Sequence, residues 1–407
     1  MTSKFSKVIL VSATTTLLLT TTSLIGADWP RWLGPNGDNI APDSGGFDPD
    51  LSHWKVAWKS NVGLGYSAVT VAGNRAYTMG HDGKSQETVL CVDAATGAAV
   101  WKHTYDAQLL PAMHTGGPNA TPTVIANRVI TVSKDGQVLC LSADKGAKVW
   151  QAKLTEVFGV ELPQWGFASS PVVHKGRVLF SAGKVAALDA ETGKTVWVSR
   201  DANPPGYTTT VAFTLEGREF IAAFDAEGLS ILNAADGAEV TRHPFKAQYG
   251  VTASTPFVLS NGKSIFISAN SGSELLEFNG QKLTSGWTST QIKNAMNNSV
   301  IVSGGIYGFD GSQGNANCRF VCAQLTDGKI NWAQEKFGYG TVIGLGKILL
   351  SLTEGGELVT IRSLPDRYEE VSRLPMLGKT CWTTPTFANG RIYVRNDQGD
   401  VVCLGLK

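Results

Sequence analysis

The chain has 407 residues, 17% of them charged and 43% hydrophobic, and its 35 Lys and Arg against 34 Asp and Glu leave a formal net charge of +1. Lys4 and Lys7 are the only charges in the first 27 residues, so the remainder carries −1, which excludes the basic field that nucleic-acid binding requires. A chain this long would make two or three ordinary domains, unless repeats build it into one closed body.

Residues 1–7 are short and basic, residues 8–25 are apolar and Thr-rich, and Gly26-Ala27 places small residues where a signal peptidase would cut. Residues 1–27 therefore read as a cleaved secretory signal. About 18 apolar residues could just span a bilayer, but Thr14–Thr16 and Thr20–Thr22 lower the hydrophobicity that an uncleaved anchor needs. The first cysteine is Cys91, so the product is expected to be exported, periplasmic or extracellular, not a lipoprotein, and free of a membrane span after cleavage. Residues 28–52 form an N-terminal extension. Residues 53–58, His-Trp-Lys-Val-Ala-Trp, then read as a lone strand.

From residue 90 onward one phrase recurs: apolar-x-Cys/Ala-apolar-x-Ala-x-x-Gly-x-x-x-Trp. It occupies 90–101, 139–150, 186–197 and 321–332, with weaker copies at 230–241 and around Gly280. The turn glycines Gly97, Gly146, Gly193, Gly237, Gly280 and Gly328 stand 49, 47, 44, 43 and 48 residues apart. A period in the forties is that of propeller blades.

Each unit contains four short strands. In the second they are 121–125, 128–133, 137–142 and 148–153, joined at Ala126-Asn127, Lys134-Asp135-Gly136 and Asp144-Lys145-Gly146, turns whose residues tolerate positive φ. Four antiparallel strands linked by tight hairpins make a blade. Blades fall at 66–105, 120–154, 169–200, 208–245, 251–289, 297–335, 340–374 and 383–406. The last has only three strands, and the lone strand at 53–58 supplies its fourth, with Trp58 standing where Trp101 or Trp150 stands. The expected fold is thus all-β, an eight-bladed propeller over 53–407, closed by its N-terminal strand so that no sheet edge is left open. The repeated tryptophans, Trp58, Trp101, Trp150, Trp197 and Trp332, are expected to dock each blade on its neighbour.

Little in the chain points to catalysis. Cys91, Cys140, Cys322 and Cys403 occupy equivalent strand slots in different blades, where they point apart. Cys318 and Cys322 are four apart in one strand, about 13 Å when extended, too far for a disulfide. Mostly buried thiols are therefore expected, with Cys381 left open. The six histidines have no zinc spacing. There is no calcium loop, nucleophile elbow or Walker loop, and no Cys-x-x-Cys-His for haem. The aspartates of His81-Asp82-Gly83, Lys134-Asp135-Gly136 and Phe224-Asp225-Ala226 are turn formers. No catalytic residue, metal or cofactor is assigned.

A binding surface is easier to place. The residues just before each inner strand converge on one mouth of the channel, where Ser, Thr and Asn would form a polar collar beneath aromatic side chains, suited to a small polar ligand or an extended peptide. Those hydroxyls could equally satisfy one another where blades meet. Tyr66, Asn119, Tyr207, Asn297, Asn298, Tyr339 and Trp382 belong to this rim, and the loops feeding it add His114, Gln164, Trp165 and Tyr249.

The recurring Ala-x-x-Gly-x-x-x-Trp phrase, with Ser-Ser-Pro-Val-Val at 169–173 and Thr-Thr-Pro-Thr at 383–386, resembles the pyrroloquinoline-quinone-like repeat family. The resemblance covers nearly everything after Trp54, and the opening at 28–35, Asp-Trp-Pro-Arg-Trp-Leu-Gly-Pro, is similar to the mature start of many such exported proteins. Two kinds of protein share that architecture: quinoprotein alcohol dehydrogenases, and non-catalytic propellers similar to the scaffold subunit of the outer-membrane β-barrel assembly machine. The dehydrogenases carry an adjacent cysteine pair, a calcium ion and a catalytic Asp. This chain has no adjacent cysteines and no long insertion between blades, the longest connection being 106–119. The resemblance therefore implies a monomeric, non-catalytic scaffold binding an envelope protein or a small polar ligand. The alternatives are a stripped-down dehydrogenase using pyrroloquinoline quinone with calcium, and a carbohydrate-binding propeller.

Overall fold

The computed structural model describes residues 27–406 except 43, 45, 112, 113, 201 and 202. All but the last residue of the expected secretory segment lies outside the described residues. Eight sheets follow one another along the chain, each built on four antiparallel strands. The first runs from Thr70–Ala72 through Arg75–His81 and Gln86–Asp93 to Ala99–Asp106. The eighth is closed from the other end of the chain: Trp54–Asn61 lies against Asp400–Leu406, with Trp58 opposite Cys403. The protein is an eight-bladed propeller whose ring is fastened by its N-terminal strand, as the repeat predicts.

The repeated phrase has a direct physical reading. Its glycine turns the chain in the left-handed region, with φ of 71° at Gly97 and 67° at Gly146, a conformation that costs glycine nothing. Just after the turn the outer strand bulges, so that Trp101 faces Cys91 and Ala99 faces Val92 while the residue between them is displaced. The tryptophan then points to the next blade, and the displaced Val100, like Val149 and Val196 in the same position, is left exposed.

Every expected docking tryptophan lies against the turn of the following blade. Trp58 donates its indole N–H to Ala94 O (3.1 Å), Trp101 to Ala143 O (2.9 Å), Trp150 to Ala190 O (2.9 Å) and Trp332 to Leu364 O (2.9 Å). The rings press on the turn glycines so closely that a Cβ on Gly193 would lie 2.5 Å from Trp150 Cε3. Trp197 covers Gly237 in the same way, but its N–H has no partner, because Arg177 donates to Ala234 O instead (2.8 Å). A sixth tryptophan, Trp287, docks over Gly328 and donates to Leu325 O (2.9 Å). The repeat hid it, because seven residues rather than four separate it from Gly280.

Two seams use other devices. Between the fourth and fifth blades Thr241 takes the tryptophan slot, and Arg218 donates to Gly280 O (3.2 Å) with its guanidinium 4.9 Å from the Phe220 ring centroid. Between the seventh and eighth, Ser372 takes the slot and the N-terminal extension fills the gap. There Leu51 and Trp54 are buried, and Phe47 and Trp54 pack on Phe387.

The extension does more than fill one seam. Trp29 bridges Val71, Pro30 O accepts from Val124 N, Trp32 Nε1 donates to Thr255 Oγ1 (3.1 Å), and Ile40–Ala41 runs parallel to Gly344–Leu345 as a fifth strand of the seventh sheet. These contacts reach the inner-strand chains of the first, second, fifth and seventh blades, so residues 29–41 cross the channel. Asp28 accepts from Gly73 N (2.9 Å) and from Asn389 Nδ2 (2.9 Å), at the turns that follow the inner strands of the first and eighth blades, so the segment enters from the mouth opposite the collar. It thereby joins the largest apolar core, which unites the seventh, eighth and first blades.

Candidate binding site at the channel mouth

Several collar hydroxyls hold neighbouring blades together. Thr121 Oγ1 accepts from Ala68 N (3.1 Å), Ser170 Oγ from Thr121 N (3.0 Å) and Thr209 Oγ1 from Ser170 N (3.0 Å), a relay that steps from one blade to the next. Asn297 and Asn298 are buried and act the same way, donating to Gly340 O (2.7 Å) and Thr255 O (2.8 Å). Their Oδ1 atoms have no partner. Tyr339 lies inside the ring at 1% exposure, its hydroxyl accepting from Met296 N (3.0 Å). These three residues fasten the sixth blade to the fifth and to the seventh and are not surface features.

The aromatic part of the rim converges. Tyr66 stacks on Trp382 with centroids 5.4 Å apart and planes 18° from parallel. On its other side it meets His114 edge-on at 5.6 Å, and His114 in turn lies 5.9 Å from Trp165. The phenol of Tyr207 reaches the backbone of Trp165. Five rim residues from the eighth, first and fourth blades and from two connecting loops thus make one arc, each half-buried. Gln164 is exposed beside it and Asn119 half-buried, whereas Tyr249 stands apart, 85% exposed on a left-handed residue.

Residues beneath the arc fix it, and no sequence pattern singled them out. Glu354 accepts from the Trp382 indole (2.6 Å) and from Gly314 N (2.9 Å), holding one end. Lys134, fully buried, donates to Leu110 O (3.1 Å) and lies 3.1 Å from His114 Nδ1, tying the 107–119 loop to the second blade. Burial lowers the Lys134 ammonium to about 8 against the pull of Glu87. Burial and the neighbouring ammonium push His114 down to about 4, so at neutral pH its ring is uncharged and serves as an aromatic face. Glu87, fully buried with Tyr105 OH on Oε2 (2.8 Å), is pushed up to about 8 by burial.

Arg395 seals the junction of the last blade with the first. Fully buried, it donates to the carbonyls of Ser67 (2.9 Å), Met79 (2.5 Å) and Gly63 (3.0 Å) and to Thr78 Oγ1 (2.9 Å). Burial draws its guanidinium down to about 9.

All six cysteines are buried and free. Among the described residues no group of three His, Cys, Asp or Glu side chains is placed to hold a metal ion.

The fold and its repeat define a closed propeller of the pyrroloquinoline-quinone-like class. The chain belongs to the family described as outer membrane protein assembly factor BamB, whose model matches residues 52–159 and 85–334. It is 29% identical over 214 residues to the outer membrane protein assembly factor BamB of Burkholderia pseudomallei, covering 51% of this chain and 50% of that protein. It thus spans about half the length of that curated relative, and 34% of the corresponding protein of Bordetella pertussis. Among solved structures, BamB from Moraxella catarrhalis superposes with a TM-score of 0.64 at 14% identity, covering 87% of this chain and 98% of that one. The quinohemoprotein alcohol dehydrogenase of Comamonas testosteroni superposes at 0.68 and 14% identity, covering 93% and 80%. At such identities the structural likeness concerns fold alone. Among the described residues no helix is long and apolar enough to cross a membrane.

Proposed function

We propose that this protein is an exported, non-catalytic scaffold of the cell envelope that holds a partner protein against the aromatic arc at its open mouth. The observation that carries this reading is the arc itself: Trp382, Tyr66, His114 and Trp165 in continuous contact, with an uncharged imidazole, on a ring whose other mouth is crossed by its own N-terminus. Half-buried aromatic side chains held rigidly are the usual anchors of protein interfaces. Family membership supports the same reading, since relatives are named as assembly factors. The near-balanced charge of the chain, 35 Lys and Arg against 34 Asp and Glu, argues against nucleic acid. The mature chain acts as a monomer and needs no cofactor.

Capture from envelope extract with immobilised mature protein tests this. Trp165→Ala should lose the captured protein while melting as the parent does; unchanged capture by that variant and by Trp382→Ala overturns the reading. The likeness to quinohemoprotein dehydrogenases keeps a second reading open to test. Calorimetric titration with pyrroloquinoline quinone and calcium separates the two, because micromolar binding, about −8 kcal/mol, would replace the scaffold with an oxidoreductase. A small polar ligand such as a sugar, taken on the Trp165 face, would register on a glycan array.

A further inference from the structure

A groove of about 430 Å³ opens between the third and fourth blades. Its origin is a mismatch in length. In the third blade the two central strands, Arg177–Ser181 and Val185–Asp189, have five residues each and the outer strand, Thr195–Val198, has four. In the fourth, the corresponding strands Arg218–Asp225, Gly228–Asn233 and Glu239–Pro244 have eight, six and six. The longer blade therefore extends beyond its neighbour, leaving part of its face uncovered. Val185 and Val198 on one side and Ala223 and Leu232 on the other give the groove an apolar lining.

Most polar groups in the groove are already paired. Arg242 lies between Asp225 (3.2 Å) and Glu239 (3.1 Å). Ser181 donates to Thr208 O, Ser230 to Glu239, and Ser199 accepts from Val185 N. Two charges remain. On the third-blade wall, Arg200 has no hydrogen-bond or ion-pair partner among the described residues, and Lys184 beside it donates only to a carbonyl, Phe158 O (3.3 Å). On the fourth-blade wall, the Asp236 carboxylate accepts only from Ala238 N (3.1 Å).

A cationic wall, an anionic wall and apolar side chains between them suit a ligand charged oppositely at its two ends and apolar in the middle. The volume lies within the range of sites that enclose small organic ligands. We propose that the groove binds a short zwitterionic peptide, its terminal carboxylate on Arg200, its terminal ammonium on Asp236 and its side chain against Val198 and Leu232. The proposal does not depend on the scaffold reading.

The test is calorimetric titration of the mature protein with Ala-Val-Ala carrying free termini, with its N-acetyl form and with its C-terminal amide. The free peptide should saturate the protein, and each capped form should bind at least about tenfold more weakly, the loss of one charge-assisted contact. Arg200→Gln and Asp236→Asn should each weaken the free peptide by a similar factor, whereas Trp165→Ala should leave it unchanged. Arg200 and Asp236 are exposed, so both variants should melt as the parent does. Equal binding of free and capped peptides, indifference to Arg200→Gln, or no saturation up to about 10 mM overturns the proposal.

Discussion

Trp150 and Trp197 form a natural pair for measuring what a docking hydrogen bond contributes. Their burial is almost the same, 7% and 9% exposed, and each ring covers a turn glycine at 2.4–2.5 Å from its ideal Cβ position. Replacing either by Ala should cost about 3–5 kcal/mol, as for other buried tryptophans. Replacement by Phe keeps most of the ring and removes the N–H. In Trp150→Phe this breaks the bond to Ala190 O (2.9 Å), whereas in Trp197→Phe it removes a donor that has no partner. Trp150→Phe should therefore be the more destabilising by about 1–2 kcal/mol, the net value of a hydrogen bond plus part of the cost of an unpaired buried carbonyl. Urea unfolding monitored by far-UV dichroism reads the difference as a midpoint shift at constant slope. A third variant closes the argument. Arg177→Met frees Ala234 O, so in that background Trp197→Phe should become costlier, the sign of coupling in a double-mutant cycle. Equal losses for the two Phe variants, or no coupling to Arg177, would refute the claim that the indole N–H fastens one blade to the next.

Arg395→Met should destabilise by at least about 3 kcal/mol, because it leaves the carbonyls of Ser67, Met79 and Gly63 buried without their donor; a loss below about 1 kcal/mol in urea would show that the last seam does not depend on it. Glu87→Gln tests a pH dependence whose sign follows from burial. The carboxyl is held at about 8 in the fold against 4.5 for the free group, so the folded state binds the extra proton between those values and stability falls as pH rises through them. The Gln variant should lose that part of the slope, and an unchanged difference between melts at pH 5 and pH 8 would contradict it. Trp29→Ala removes a side chain only 3% exposed that packs at 3.1 Å on the Cβ position of Gly34. About 3–5 kcal/mol should be lost, with faster amide exchange in the seventh, eighth and first blades; exchange raised uniformly around the ring would instead mean that the N-terminal segment does not clasp that core.

The difference between what the sequence disclosed and what it concealed follows from how each feature is built. Strand hairpins and the turn-glycine–tryptophan pair recur with a fixed spacing, and the closing strand betrays itself because Trp58 falls in the same slot, so the eight blades could be placed to within a few residues. Trp287 escaped because a longer turn changed that spacing while leaving the contact intact. The N-terminal strap escaped for a different reason: Trp29, Trp32 and Asn39 find their partners at Val71, Thr255 and Val342, separations that no local pattern encodes. The same holds at the mouth. Position before an inner strand gathered Tyr66 and Trp382, which stack on one another, yet could not tell them from Tyr339, whose equivalent position in the seventh blade is sealed by Met296 and Phe309. Nor could it find Lys134 and Glu354, which orient His114 and Trp382 from below. A repeat fixes the scaffold because every blade repeats the same local solution. The surfaces proposed to bind lie where blades depart from that solution, in an aromatic arc on one side of the ring and in a third blade too short to cover the fourth.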